Sequence, residues 1–167
     1  DDRWIRRAPS LHYDFGYHLK DAPIGWSVEA DRGHWYNDGV KSTHTYGKVS
    51  VYHDPIPLGG GASLSLAADY SVTKESYNHS KVSGLSWSAT LVKKFNDRLT
   101  TYGRYSYAQL YTGNSLFDYN VADYSRALYT GLSYQLTERD RFVCGTAYDI
   151  DRHTVGDVDY YWYHDMH

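Results

Sequence analysis

Asp123-Tyr-Ser-Arg-Ala-Leu-Tyr-Thr-Gly-Leu-Ser-Tyr-Gln-Leu-Thr137, followed by Glu138-Arg139-Asp140, reads with a period of two residues. Leu128, Thr130, Leu132, Tyr134 and Leu136 fall on one face, and Ser125, Ala127, Gly131, Ser133 and Gln135 on the other, the alternation of a β-strand. One face is apolar, the other small and polar. At about 14 residues the run is long for a strand in a soluble sandwich. It suits a strand crossing a bilayer at a tilt, which needs about 9 to 11 residues in the hydrocarbon.

The same rhythm extends outward in both directions. Leu11, Tyr13, Phe15, Tyr17 and Leu19 alternate with polar or small residues after Pro9. Asp21-Ala22-Pro23-Ile24-Gly25 makes a turn, a second strand runs from Trp26 to about Tyr36, and Asn37-Asp38-Gly39 closes that hairpin. A third strand, about Val40 to His53, alternates more weakly, and Asp54 to Gly61, with two prolines and three glycines, reads as a connection. A fourth strand sets Ala62, Leu64, Leu66, Ala68, Tyr70 and Val72 against Ser63, Ser65, Ala67, Asp69, Ser71 and Thr73. Leu85, Trp87, Ala89 and Leu91 mark a fifth, and Arg98 to Thr112 a sixth after a turn at Asn96-Asp97. The loop Gly113 to Ala122 precedes the run quoted above. Phe142 to Asp151 gives an eighth strand, a turn is expected at Thr154 to Asp157, and Tyr160-Tyr161-Trp162-Tyr163 centres a ninth. No segment carries a helical apolar stripe. The expected fold is all-β: an antiparallel up-and-down meander of about nine strands forming the wall of an outer-membrane β-barrel, a single segment over residues 1–167.

Composition agrees with that reading. Nineteen tyrosines and five tryptophans, against four phenylalanines and one methionine, suit positions with one apolar and one wet end, such as a membrane interface. The expected assignment sends Leu64, Leu66, Leu128, Leu132 and Leu136 to lipid, and Ser63, Ser65, Asp69, Ser133 and Gln135 to the lumen. Trp26, Tyr36, Tyr124 and Trp162 would form the interface belts. A net charge of −3 without a basic block lacks the electrostatic footprint of a nucleic-acid binder. The lone Cys144 forms no disulfide within the chain.

The chemistry-bearing residues are plentiful but unpatterned. His164 and His167, three apart on a strand, point to opposite faces and do not chelate a metal together. Asp149, Asp151, Asp157 and Asp159 lack the glycine-centred loop and terminal glutamate of a calcium site. There is no Gly-x-Ser-x-Gly elbow, and Gly59-Gly60-Gly61 precedes a strand rather than a phosphate-cradling helix. No catalytic, metal or cofactor site is expected.

Two stretches resemble a known family. Arg7-Ala8-Pro9-Ser10-Leu11-His12-Tyr13, with Asp21-Ala22-Pro23-Ile24-Gly25-Trp26 opening the next strand, is similar to a proline-led hairpin of the lipopolysaccharide-assembly outer-membrane proteins (LptD, organic solvent tolerance protein). Asp157 to His167 resembles a stretch near that family's C-terminus, where a Cys-Trp pair follows. The resemblance implies residence in the cell outer membrane of a Gram-negative bacterium. It also implies lipopolysaccharide export into the outer leaflet, with a lipoprotein plug in the lumen and a periplasmic bridge as partners, and transport without catalysis. It places neither gate nor lipid-receiving groove on particular residues. It implies further that the chain is the later part of a larger barrel. The alternatives are a small porin-like or adhesion barrel, or a soluble secreted β-sandwich binding module.

Overall fold

The computed structural model describes residues 6–37, 39–110 and 125–165. Nine strands follow one another: β1 (Arg6–His18), β2 (Ile24–Asn37), β3 (Val40–Gly59), β4 (Ala62–Glu75), β5 (Lys81–Lys94), β6 (Leu99–Leu110), β7 (Arg126–Gln135), β8 (Asp140–Asp149) and β9 (Thr154–His164). They form one sheet in sequence order, an antiparallel up-and-down meander with β1 and β9 as its edges. Among the described residues there is no helix.

Side-chain oxygens next to the turns set where the strands stop. Asn96 Oδ1 accepts from the N–H groups of Arg98 (2.9 Å) and Leu99 (2.8 Å) between β5 and β6. Thr137 Oγ1 accepts from Arg139 (3.2 Å) and Asp140 (3.0 Å) between β7 and β8. Such short side chains offer the backbone an alternative to the ladder, which is why they end strands.

Three expected boundaries move. β3 runs on through Pro55 and Pro57 to Gly59, so Asp54 to Gly59 is strand rather than connection. β2 has 14 residues and β3 has 20, so the prolines fall in the part of β3 that outruns a 14-residue β2 and has β4 as its remaining hairpin partner. The hairpin turn is then Gly59-Gly60-Gly61, all at positive φ (82°, 56° and 77°), a backbone open to glycine without steric cost. The β8–β9 turn falls at 150–153 rather than at Thr154 to Asp157. Asp149 Oδ1 takes the N–H groups of Asp151 (2.9 Å) and Arg152 (3.1 Å) and bends the chain early. β7 spans ten residues, with Ser125 in a bend, instead of the longer run read from sequence. The loop Gly113 to Ala122 lies outside the described residues.

The chain divides into two compact units. The first comprises Asp1–Tyr52, Ala68–Ser86 and Ala108–Asp123. Within it β1 pairs β2 with Tyr13 opposite Ala30, Phe15 opposite Val28 and Tyr17 opposite Trp26. The register slips between Ala8 and Ser10, where Pro9 has no N–H to offer.

The second unit comprises His53–Ala67, Trp87–Tyr107 and Tyr124–His167. Its strands β6 to β9 stack in rows across the sheet. One face carries Leu99–Tyr134–Phe142–Trp162 and then Thr101–Leu132–Cys144–Tyr160. The opposite face carries Thr100–Ser133–Val143–Tyr161 and Tyr102–Gly131–Gly145–Asp159. The free Cys144 therefore sits on the apolar face as a small half-buried residue.

Candidate functional site

Burial in this sheet is inverted relative to a protein folded in water. Among the described residues the buried apolar side chains are Trp35, Val82 and Ala127, whereas seven polar ones are buried: Asn37, Ser42, His44, Thr73, Glu75, Ser83 and Asp149. The large apolar residues are outside. Val49, Val51, Leu66, Tyr70, Leu85, Trp87, Leu91, Leu128, Tyr134 and Leu136 are all exposed. An exposed apolar surface of this extent marks a face meant for something other than water.

The residues singled out from sequence sort onto these faces. Leu66, Leu128 and Leu136 are about two-fifths exposed (39%, 41% and 38%), while Leu64 and Leu132 are half-buried. Ser63, Ser65, Asp69, Ser133 and Gln135 are half-buried on the other face. Asp69 ties three side chains together: Ser50 Oγ donates to its Oδ1 (2.5 Å), Ser86 Oγ to its Oδ2 (3.4 Å), and Lys48 Nζ lies 3.6 Å away. Trp26 packs with Phe15 and Tyr17 at centroid distances of 5.6 and 6.3 Å. Tyr36 carries the Lys41 ammonium over its ring at 5.6 Å. Trp162 is 63% exposed and donates its indole N–H to Asp140 Oδ1 (3.1 Å). Tyr124 lies outside the described residues.

Sequence reading missed the most buried group in the first unit. At the ends of β2, β3 and β4, His44 stacks face to face on Trp35, with centroids 3.6 Å apart and planes 10° off parallel. Its Nδ1 lies 2.5 Å from Glu75 Oε1, and Ser42 Oγ donates to Glu75 Oε2 (2.7 Å). Ser42 in turn accepts from the N–H of Ser76 (3.0 Å). The carboxylate side chain has no exposed surface, so its partners take over the role of water. Glu75 stands between Ser42 and His44, so the serine hydroxyl donates to a carboxylate rather than to the imidazole. That is a structural clamp, not the geometry of an activated nucleophile. The signal was present in sequence as Ser42, His44, Tyr46, Lys48 and Ser50 at every second position, a polar face where an apolar one was sought.

The polar face of the second unit is built around glycine. Tyr102 lies across Gly131: a Cβ on Gly131 would meet the Tyr102 ring at 2.5 Å and the Cys144 carbonyl oxygen at 2.7 Å. A Cβ on Gly145 would meet the Tyr102 hydroxyl at 2.9 Å. Arg104 sits over the Tyr129 ring at 5.5 Å and Arg141 over Tyr163 at 4.6 Å.

At the turns, charges are paired at the surface. Hydrogen bonds from the Arg126 guanidinium, and then from the Ser125 hydroxyl, hold the Asp151 carboxyl below the usual aspartate range. The Lys94 ammonium, 2.8 Å away, does the same for Asp97. His164 Nδ1 lies 2.8 Å from Asp140 Oδ1, and His167 is outside the described residues. Among the described residues no group of three His, Cys, Asp or Glu side chains is arranged to hold a metal ion. Set against protein-family models and against curated proteins, the chain matches none of either.

Proposed function

We propose that this chain is part of the wall of an outer-membrane β-barrel that exports lipopolysaccharide to the outer leaflet. The observation that carries the barrel is the inverted burial: three buried apolar side chains against seven polar ones among the described residues, with Leu, Val, Tyr and Trp exposed. A chain of this length folded in water would gather its apolar side chains into a core, since that burial is the main force for folding. Here neighbouring strands from β1 to β9 satisfy one another's hydrogen bonds, the two outer edges apart, while the apolar face waits for a covering, as in strands that span a bilayer. A β-sandwich would instead pack its apolar faces against a second sheet, and the described strands form one sheet in sequence order.

From exposed Leu128 in β7 to exposed Leu136, one residue past its end, is a span of eight residues, about 27 Å of extended chain and about 20 Å of height at a 40° tilt. That approaches the roughly 25 Å apolar band of outer-membrane barrels. The export of lipopolysaccharide rests on the resemblance of Arg7–Tyr13, Asp21–Trp26 and Asp157–His167 to the assembly proteins. The test is depletion of the protein in its native cell. The expected result is that it fractionates with the outer membrane and that newly made lipopolysaccharide fails to reach the cell surface. Normal surface lipopolysaccharide after depletion, with the protein still in the outer membrane, would replace export by a porin-like or adhesion role.

A further inference from the structure

The polar face of the second unit contains a depression of about 300 Å³ centred on Gly145, with Tyr102, Tyr129, Tyr161, Asp159 and Ala147 among its walls. Register explains why it exists. Tyr102, Gly131, Gly145 and Asp159 form one row across β6 to β9, and the two middle positions carry no side chain, so Tyr102 alone covers the row between β6 and Asp159. Tyr102 leans over Gly131 and brings its hydroxyl above Gly145, Asp159 closes the far side from β9, and Tyr129 and Tyr161 stand one step up and one step down the strands.

The chemistry of the walls selects the ligand. Three tyrosines line the depression, Tyr102 with its hydroxyl at Gly145, and among the described lining residues the ionisable acid or base besides tyrosine and cysteine is the carboxylate of Asp159. Rings with a carboxylate attract an organic cation, by the quadrupole of the ring and by direct charge. Tyrosines of this same face already hold cations supplied by the chain, Arg104 over Tyr129 and Arg141 over Tyr163. The volume lies at the lower limit of ligand pockets, which suits a compact group rather than an extended chain. We propose that the Gly145 depression is an aromatic cage for an alkylammonium group of trimethylammonium type. The inference goes beyond export and does not depend on it.

The test uses the purified protein in maltoside micelles, whose head group carries no ammonium, and follows the trimethyl proton resonance of added choline by saturation-transfer NMR. The uncharged isostere 3,3-dimethyl-1-butanol and the variants Asp159→Asn and Tyr161→Leu complete the set; both substituted side chains are exposed, and far-ultraviolet circular dichroism checks that the sheet is kept. Saturable choline binding is expected, weakened about tenfold or more by either substitution and by loss of the ligand's charge. Phosphocholine bound as tightly as choline would assign the site to a lipid head group, and phosphocholine bound more weakly to a free amine. No saturable binding to the wild type, equal binding of the uncharged isostere, or undiminished binding to folded Asp159→Asn each overturns the cage.

Discussion

Arginine placed along the apolar face of β7 should cost most at Leu132 and progressively less toward Leu128 and Leu136. Leu132 is the centre of the Leu128–Leu136 run and sits in the row Thr101–Leu132–Cys144–Tyr160. Leu128 in β7 and Leu136 just past its end lie four residues to either side, about 14 Å of extended chain and about 10 Å in height at a tilt near 40°. Half of a 25 Å apolar band is about 12 Å, so those two positions approach its borders while Leu132 lies near its middle. The expected penalties are about 2 to 4 kcal/mol for Leu132→Arg and about 0 to 1 kcal/mol for Leu128→Arg and Leu136→Arg. Ser133→Arg, one residue along and on the opposite face beside Thr100 and Val143, should cost much less than Leu132→Arg. The assay is reversible urea unfolding from phospholipid vesicles, followed by tryptophan fluorescence and repeated in bilayers of thicker hydrocarbon. There the penalties at Leu128 and Leu136 should grow. A flat profile, a Ser133 penalty equal to that of Leu132, or a wild type that folds as a monomer in plain buffer would refute the lipid-facing assignment.

Glu75→Leu should destabilise the folded chain by about 3 to 5 kcal/mol, because it leaves Ser42 and His44 buried without their acceptor; adding His44→Leu should recover part of that loss in the same urea assay. Gly131→Ala should cost about 1 to 3 kcal/mol, since its Cβ meets the Cys144 carbonyl as well as the Tyr102 ring, whereas Gly47→Ala, with open space around the Cβ, should cost less. Asp151 contributes stability that is fully present above the ordinary aspartate pKa of about 4 and is lost as pH falls through its lowered folded value. Asp151→Asn should therefore flatten the acid limb of a stability–pH profile below about pH 4 and leave its shape near neutrality unchanged, as read by unfolding midpoints in a buffer series.

The meander was legible because its signal is local. Alternation in β4 and β7, Asn96-Asp97, Gly39 and the glycine run each act within a few residues, and the turns fall where those residues put them. Where a nonlocal fact decides, sequence reading went astray. Pro55 and Pro57 look like breakers until the length of β2 shows that their part of β3 outruns it. Asp149 is the local exception: it ends β8 through bonds to backbone two and three residues on, a turn signal the run of acidic residues there did not single out. The clamp of Trp35, His44, Ser42 and Glu75 joins residues more than 30 positions apart, so no window of sequence contains it. The faces themselves were legible, but their burial was not. Alternation says that Leu132 and Ser133 point opposite ways; only the sheet shows that the polar side is the more enclosed.

That enclosure bears on the two edge strands as well. From Pro9 onward β1 is exposed on both faces, with Leu11 at 76%, and so is β9 from Val158 onward, with Tyr160 at 73%, so each lacks the shelter that β4 or β7 draws from two neighbours. With the apolar face in lipid, the edge N–H and C=O groups would each cost several kcal/mol if left without partners in the hydrocarbon. Nine strands, each antiparallel to the next, leave β1 and β9 running in the same direction, so joining them directly would make a parallel seam in an otherwise antiparallel wall. Bacterial barrels of a single chain use even strand numbers, which keeps every pair antiparallel. A wall built on this sheet meets that condition when an odd number of further strands stands between β9 and β1, each edge then finding an antiparallel neighbour.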